Sequence, residues 1–178
     1  MGRKVCVFGA SAPVGTEYIE AVRALCRRMG SAGYSLVFGG FSNGLMKAAA
    51  DGFSAAGAEI TGVTPASLTD MRDIHPACTA VISTDDLAER KKTMMDLADI
   101  FMVLPGGIGT FDEFFGVLAK KQIGESEKEV IIYNIDGFYD PLISYLDDIS
   151  RSGFITAEIS KLFTFYNNAD EIMQHIEG

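Results

Sequence analysis

Short apolar or β-branched runs alternate along the chain with longer segments whose apolar residues recur every three or four positions. That alternation predicts a mostly parallel α/β sheet, doubly wound, with helices on both faces. Strands are expected near Lys4–Phe8, Ser35–Phe38, Glu59–Val63, Ile100–Leu104 and Val130–Tyr133. Between the first two, Ile19, Val22, Leu25, Cys26 and Met29 give a helix one apolar stripe, and Gly30 and Gly33 supply its stop. A second helix is expected from about Leu45 to Ala56. The mixed stretch Thr64–Thr84 holds Pro65 and Pro76 and reads as a connection able to carry a short extra strand. Asp85 or Asp86 can cap a helix through about Asp96, and Thr110 opens another through about Lys121. Pro141 fits the first turn of a helix ending near Ser152, with Gly153 at its C-cap. A short apolar run, Leu162–Tyr166, and a last helix after Asn167-Asn168 complete the chain, and residues 1–178 read as a single domain.

Composition supports one continuous core: the chain has 178 residues, 48% of them hydrophobic and 22% charged. Its nineteen glycines follow no fixed period, which excludes collagen-like repeats and argues against a solenoid. A formal net charge of −9 disfavours nucleic acid and acidic membranes as partners, so any phosphate site must be built locally. Cys6, Cys26 and Cys78 lie far apart with no CxxC spacing, and no signal peptide precedes them. Reduced thiols and a cytoplasmic location are therefore expected. No apolar stretch approaches the ~20 residues that a membrane span requires.

Candidate chemistry lies where the glycines fall. Gly9-Ala10-Ser11 follows the first strand, Gly39-Gly40 the second, and Pro105-Gly106-Gly107-Ile108-Gly109-Thr110 the strand from Ile100. In a doubly wound sheet these carboxyl ends are where ligands bind, because helix amino termini aim unpaired N–H groups and positive dipole ends at the crevice. Residues without Cβ let backbone approach phosphate oxygens, and Thr110 adds a hydroxyl. Thr110-Phe111-Asp112-Glu113 is equally a capping box, in which Glu113 would only hold a helix start. The Glu89-Arg90-Lys91-Lys92 cluster reads as a solvated helix face, or as a helix that swings one arginine toward the crevice for bidentate anion contacts.

Several function classes lose support. The chain has no GxxxxGK[ST] loop for triphosphate and magnesium, and no GxGxxG follows its first strand for a dinucleotide. His75 and His175 stand at no ligand spacing with each other or with the cysteines, so no metal site is expected. Lysine decarboxylation would need pyridoxal phosphate on a lysine that nothing in the sequence singles out, and no cofactor is expected.

Taken together, Gly39-Gly40, Gly44-Leu45-Met46, Glu89-Arg90-Lys91 and Pro105 through Glu113 resemble the LONELY GUY family of cytokinin riboside 5′-monophosphate phosphoribohydrolases. The resemblance runs from Val5 to about Ile155 and takes in Asn134-Ile135-Asp136-Gly137-Phe138-Tyr139 and Gly153-Phe154-Ile155. It implies a Rossmann-like, nucleotide-binding domain, a homodimer with sites near the subunit interface, and metal-independent hydrolysis of a nucleoside 5′-monophosphate to free base and ribose 5-phosphate. Arg90 and Glu113 match the family's catalytic pair. Gly106, Gly107, Gly109 and Thr110 would bind phosphate, with Gly40, Ser42, Asn43, Gly44 and Met46 lining the pocket and Ser11, Lys91 and Asp112 as further substrate contacts. The sequence departs from the family at Leu87-Ala88, at Ala119–Gln122 and in Thr69–Thr79, which offers no counterpart of a substrate-facing glutamate. Prenylated adenine, plain adenine and other bases thus remain open as leaving groups. A non-catalytic nucleotide or molybdenum-cofactor carrier of related fold is the alternative.

Overall fold

The computed structural model describes residues 2–69 and 73–178. In chain order its strands are β1 (Lys4–Phe8), β2 (Ser35–Phe38), β3 (Ile60–Pro65), β4 (Ala80–Thr84), β5 (Ile100–Val103), β6 (Glu129–Tyr133) and β7 (Thr164–Tyr166). Its helices are α1 (Thr16–Ser31), α2 (Gly44–Ala55), α3 (Ala66–Thr69), α4 (Leu87–Leu97), α5 (Ile108–Gln122), α6 (Asp140–Arg151), α7 (Ile159–Leu162) and α8 (Ala169–Glu177). The strands form one sheet in the order β4-β3-β2-β1-β5-β6-β7, and every neighbouring pair is parallel. The chain winds outward from β1 to β4, then returns to set β5 against the other side of β1, with Val5 between Leu36 and Ile100. This is the doubly wound arrangement that the alternating pattern predicts and the Rossmann-like fold that the resemblance implies.

Alternation of side chains along a strand builds a core on each face. Val5, Val7, Leu36, Phe38, Ile100 and Met102 pack with the apolar stripes of α1, α2 and α8. Cys6, Phe8, Val37, Phe101 and Val103 pack on the other side with α4, α5, α6 and α7. With both faces covered, the central strands read as unbroken apolar runs.

Several elements differ in detail from the sequence reading. The extra strand in Thr64–Thr84 is β4, an edge strand paired only with β3 among the described residues, while positions 70–72 of that stretch lie outside the described residues. Gly30 does not stop α1. It lies buried inside the helix, where a Cβ would stand 2.8 Å from the Ala56 Cβ, and so serves close packing against the end of α2. Gly33, at φ +89°, takes the turn that follows. Of the two aspartates offered as caps, Asp86 caps α4 by accepting from the Glu89 N–H at 2.8 Å, and Glu89 Oε2 accepts from the Asp85 N–H at 2.7 Å. Helix α5 begins at Ile108 with Gly107 at its N-cap, so Thr110 lies inside the first turn and makes no capping bond. Among the described residues no helix is long and apolar enough to cross a membrane, and all three cysteines are free thiols.

Candidate functional site

Where the winding reverses, the loops after β1 and β5 part and leave a crevice beyond the strand ends. The two loops are tied together, because the Ala10 N–H donates to the Pro105 carbonyl at 3.0 Å, and the Leu45 N–H donates to the Ala10 carbonyl at 2.8 Å. Gly44 makes the second tie possible: its φ is +53° and a Cβ there would stand 2.4 Å from that same carbonyl. The crevice encloses about 370 Å³, with Ser11, Met46, Gly107, Gly109, Arg90 and Glu113 in its wall. That is a small-molecule volume. The start of α5 presents its free backbone N–H groups and positive dipole end there, as an anion requires.

Arg90 and Glu113 reach the crevice from different helices, α4 and α5, and meet as an ion pair. Arg90 Nη1 donates to Glu113 Oε1 at 3.0 Å, and each side chain is only 13% exposed. Arg90 Nε donates to the Val63 carbonyl at 3.0 Å, which fixes the guanidinium against the end of β3. Burial pushes the Glu113 carboxyl above its ordinary value of 4.5, and the nearby guanidinium pulls it down without cancelling that rise. The capping-box alternative for Glu113 is thereby corrected: Gly107 is the cap of a helix that begins at Ile108, so Thr110 already lies inside its first turn, and the carboxylate is engaged by Arg90.

The glycine loop is braced from behind. Tyr139 donates its hydroxyl to the Leu104 carbonyl at 2.7 Å, just before Pro105. Its own N–H is held by Asn134 Oδ1 at 2.8 Å, while Asn134 Nδ2 donates to Asp140 at 2.7 Å and Asn167 at 2.9 Å. The Asn134–Tyr139 segment thus turns tightly, with Asp136 at φ 52° and Gly137 at φ 70°, to deliver that phenol. Gly106 is pressed onto Thr110, where a Cβ would meet Oγ1 at 2.1 Å.

The other residues singled out from sequence are distributed around this crevice. Thr110 lines it, largely buried, whereas Gly106 and Gly40 are not part of its wall. Gly40, at φ +80°, packs onto Thr64, whose Cγ2 would lie 2.4 Å from a Cβ. Ser42, Asn43 and Gly44 face a neighbouring cleft beside Arg23, Lys47 and Asp51 that shares Ser11 with the first. Lys91 and Asp112 pair with each other at 2.8 Å in a second, more exposed rung between α4 and α5. Of the histidines, His75 is buried, with Nε2 3.1 Å from Asp51 and Nδ1 accepting from the Ala77 N–H at 3.2 Å. His175 pairs with Glu129. Among the described residues no three His, Cys, Asp or Glu side chains gather as metal ligands would.

Sequence reasoning missed the apolar wall of the crevice, which Phe41, Leu68, Leu87 and Ile108 contribute. Ile108 is 85% exposed and Leu87 61%. The available signal was Ile108 itself, an apolar residue in the middle of a glycine loop, and Leu87 one turn before Arg90.

Comparison with known proteins bears on this arrangement. A family profile described as possible lysine decarboxylase matches residues 46–176. A cytokinin riboside 5′-monophosphate phosphoribohydrolase of Arabidopsis thaliana is 33% identical over 98% of this chain and 83% of its own. One from Rhodococcoides fascians is 35% identical over 86% of this chain and 79% of its own. Among solved structures, a molybdenum cofactor binding protein of Rippkaea orientalis superposes with a TM-score of 0.77 at 19% identity, covering 99% of this chain and 96% of that one. A molybdenum cofactor carrier protein of Chlamydomonas reinhardtii gives 0.77 at 18% identity, covering 99% and 97%. At such identities the likeness is one of fold alone.

Proposed function

The chain belongs to the family of cytokinin riboside 5′-monophosphate phosphoribohydrolases, and on that premise we propose that it cleaves the N-glycosidic bond of a nucleoside 5′-monophosphate, releasing free base and ribose 5-phosphate. The observation that carries this reading is the buried Arg90–Glu113 pair in the wall of a crevice that faces a glycine loop at a helix start.

In the proposed arrangement the 5′-phosphate lies against Gly107, Gly109 and Thr110, with Gly106 holding the loop tight. The helix start and its N–H groups supply the positive field. Ser11 and Met46 border the nucleoside, and Phe41, Leu68 and Leu87 offer the base an apolar wall. Gly40, Ser42, Asn43 and Gly44 shape the loop behind it, and the Lys91–Asp112 rung steadies the two catalytic helices.

Cleavage breaks the bond from C1′ of the ribose to the base nitrogen, and water forms the new bond at C1′ while a proton goes to the departing base. The ribosyl centre passes through an oxocarbenium-like state that a nearby carboxylate stabilises. Glu113 fills that role and orients the water. Oε1 is held by Arg90 and Oε2 takes no hydrogen bond among the described residues. A carboxyl raised by burial is also a better proton acceptor at neutral pH than an ordinary one. Arg90 fixes the carboxylate and anchors the ribose, so that the reacting atoms are held in line. No cofactor or metal enters this chemistry.

The same reading takes residues 1–178 as one nucleotide-binding domain in a cytoplasmic homodimer with its sites near the interface. Phe115 and Phe138, 41% and 42% exposed and linked through the rings of Phe111 and the buried Tyr139, supply apolar surface of the kind a partner copy covers.

The test is incubation of purified protein with AMP, GMP, CMP and isopentenyladenosine monophosphate, following base and ribose 5-phosphate by chromatography. Glu113→Gln, which keeps the shape and removes the charge, should cut release by about 10³-fold while nucleotide still binds. Saturable binding with no release by the unaltered protein would defeat the hydrolase and favour a non-catalytic carrier.

A further inference from the structure

Gly39 and Gly40 stand side by side at the end of β2, yet they are glycines for different reasons. Gly40 has φ +80°, a left-handed backbone that L side chains avoid. Gly39 has no such constraint and is buried. What distinguishes Gly39 is the occupant of its missing side chain. A Cβ there would lie 2.1 Å from Arg90 Nη2 and 3.3 Å from Arg90 Cζ, with Met46 Sδ at 3.2 Å.

We propose that Gly39 is a positioning residue for Arg90: the guanidinium lies in the space that a side chain at 39 would fill, and that space sets its orientation toward Glu113. The proposal rests on the phosphoribohydrolase reading for its kinetic consequence only. The three nitrogens of the guanidinium have separate surroundings. Nε is committed to the Val63 carbonyl and Nη1 to Glu113, each at 3.0 Å, and Nη2 is the one laid against Gly39. The group therefore cannot yield to a methyl at 39 by sliding in its own plane without giving up one of those two bonds. Ordinary contact begins near 3.4 Å, so a Cβ at 2.1 Å demands a shift of about 1.3 Å. Displacements of that size in a positioning group cost on the order of 10²-fold in rate. The backbone need not move, because the clash is with the far end of a flexible side chain, and the cost in stability is that of the loosened Arg90–Glu113 pair.

The experiment compares Gly39→Ala, Arg90→Ala and the double variant, reading kcat and KM on a nucleoside monophosphate, the melting temperature, and the titration of Glu113 by NMR of ¹³C-labelled carboxyls. Gly39→Ala should lose about 100-fold in kcat, a larger change than that in KM, and should stay folded with a melting temperature between those of the parent and Arg90→Ala. Its Glu113 should titrate at higher pH, as in Arg90→Ala, because the guanidinium that lowers the carboxyl has moved away. In the Arg90→Ala background the second substitution should change neither rate nor titration. An unshifted Glu113 in folded Gly39→Ala, or an equal loss of rate in both backgrounds, overturns the proposal. Should the single variant unfold, a folded double variant still traces the clash to Arg90, whereas unfolding of both refutes it. The titration needs no turnover, so a protein that releases no base would defeat the hydrolase reading while Gly39 is still tested.

Discussion

Replacing Arg90 by Met should destabilise the protein by an amount that depends on pH in a defined direction. The substitution leaves Glu113, 13% exposed, without its cation, and removes the Nε bond to the Val63 carbonyl. Breaking a buried ion pair from one side costs about 3–5 kcal/mol, most of it the burden of the unpaired charge. The lost bond to Val63 accounts for about 1 kcal/mol. Glu113 already holds its proton more tightly in the folded state than its ordinary 4.5, because burial outweighs Arg90. A carboxyl raised in this way contributes stability below its unfolded value, and that contribution is lost as pH rises through the folded value. Without Arg90 the folded value rises further, so the loss grows and its window extends upward. At pH 8 the variant should therefore lie about 4 kcal/mol below the parent, or roughly 8–16 °C for a chain of this size. Near pH 4.5, below the folded value that burial already raises in the parent and that loss of the cation raises further, the gap should close to about 1 kcal/mol. Urea melts of both proteins from pH 4.5 to 8.5 measure this. A deficit that stays constant across the range, or shrinks as pH rises, would refute the account of Glu113 as a buried, cation-dependent carboxylate.

Two further outcomes follow from the loops and the surface. Gly106→Ala puts a Cβ 2.1 Å from Thr110 Oγ1 and 2.6 Å from Thr110 Cβ; the hydroxyl can rotate away but the Cβ cannot, so the loop must open. Calorimetry should show nucleotide affinity reduced about tenfold, with a stability cost of about 1–3 kcal/mol, and unchanged affinity would detach this loop from the phosphate. Sedimentation at micromolar concentration should show a dimer that weakens in Phe115→Ser, and a monomeric parent protein would remove the assembly part of the proposal.

Much of the sheet was legible because its central strands are buried on both faces. β1 and β2 run over the residues that their unbroken apolar pattern marks, and β3, β5 and β6 differ only at their ends. β4 was not resolvable from pattern: Ala80, Val81 and Ser83 are exposed, and it is a strand because it pairs with β3, which a local reading does not see. The start of α5 was misjudged since Thr110 and Glu113 have cap spacing, yet Gly107 already fills the extended cap position. The crevice could be anticipated from glycines at three strand ends, and Arg90 and Glu113 from their motifs. The space at Gly39 could not, because a sequence records that a side chain is missing and not what occupies the gap. Nor does it show Tyr139 reaching back to Leu104, a bond created by the turn at Asp136 and Gly137.

The strand order also sets a schedule for the growing chain. β1 lies in the middle of the sheet, yet its neighbour β5 emerges about ninety residues after it. At ribosomal speeds of about 5–20 residues per second, one edge of β1 waits on the order of ten seconds for its partner. During that interval the nascent protein can pair β2, β3 and β4 beside β1, but it carries an open edge among Val5, Val7 and Phe8 that invites pairing with other chains. Translation that stalls before Ile100 would release a sticky half-sheet holding Arg90 without Glu113. The crevice and a closed central strand are therefore complete only after β5 and α5 have been made.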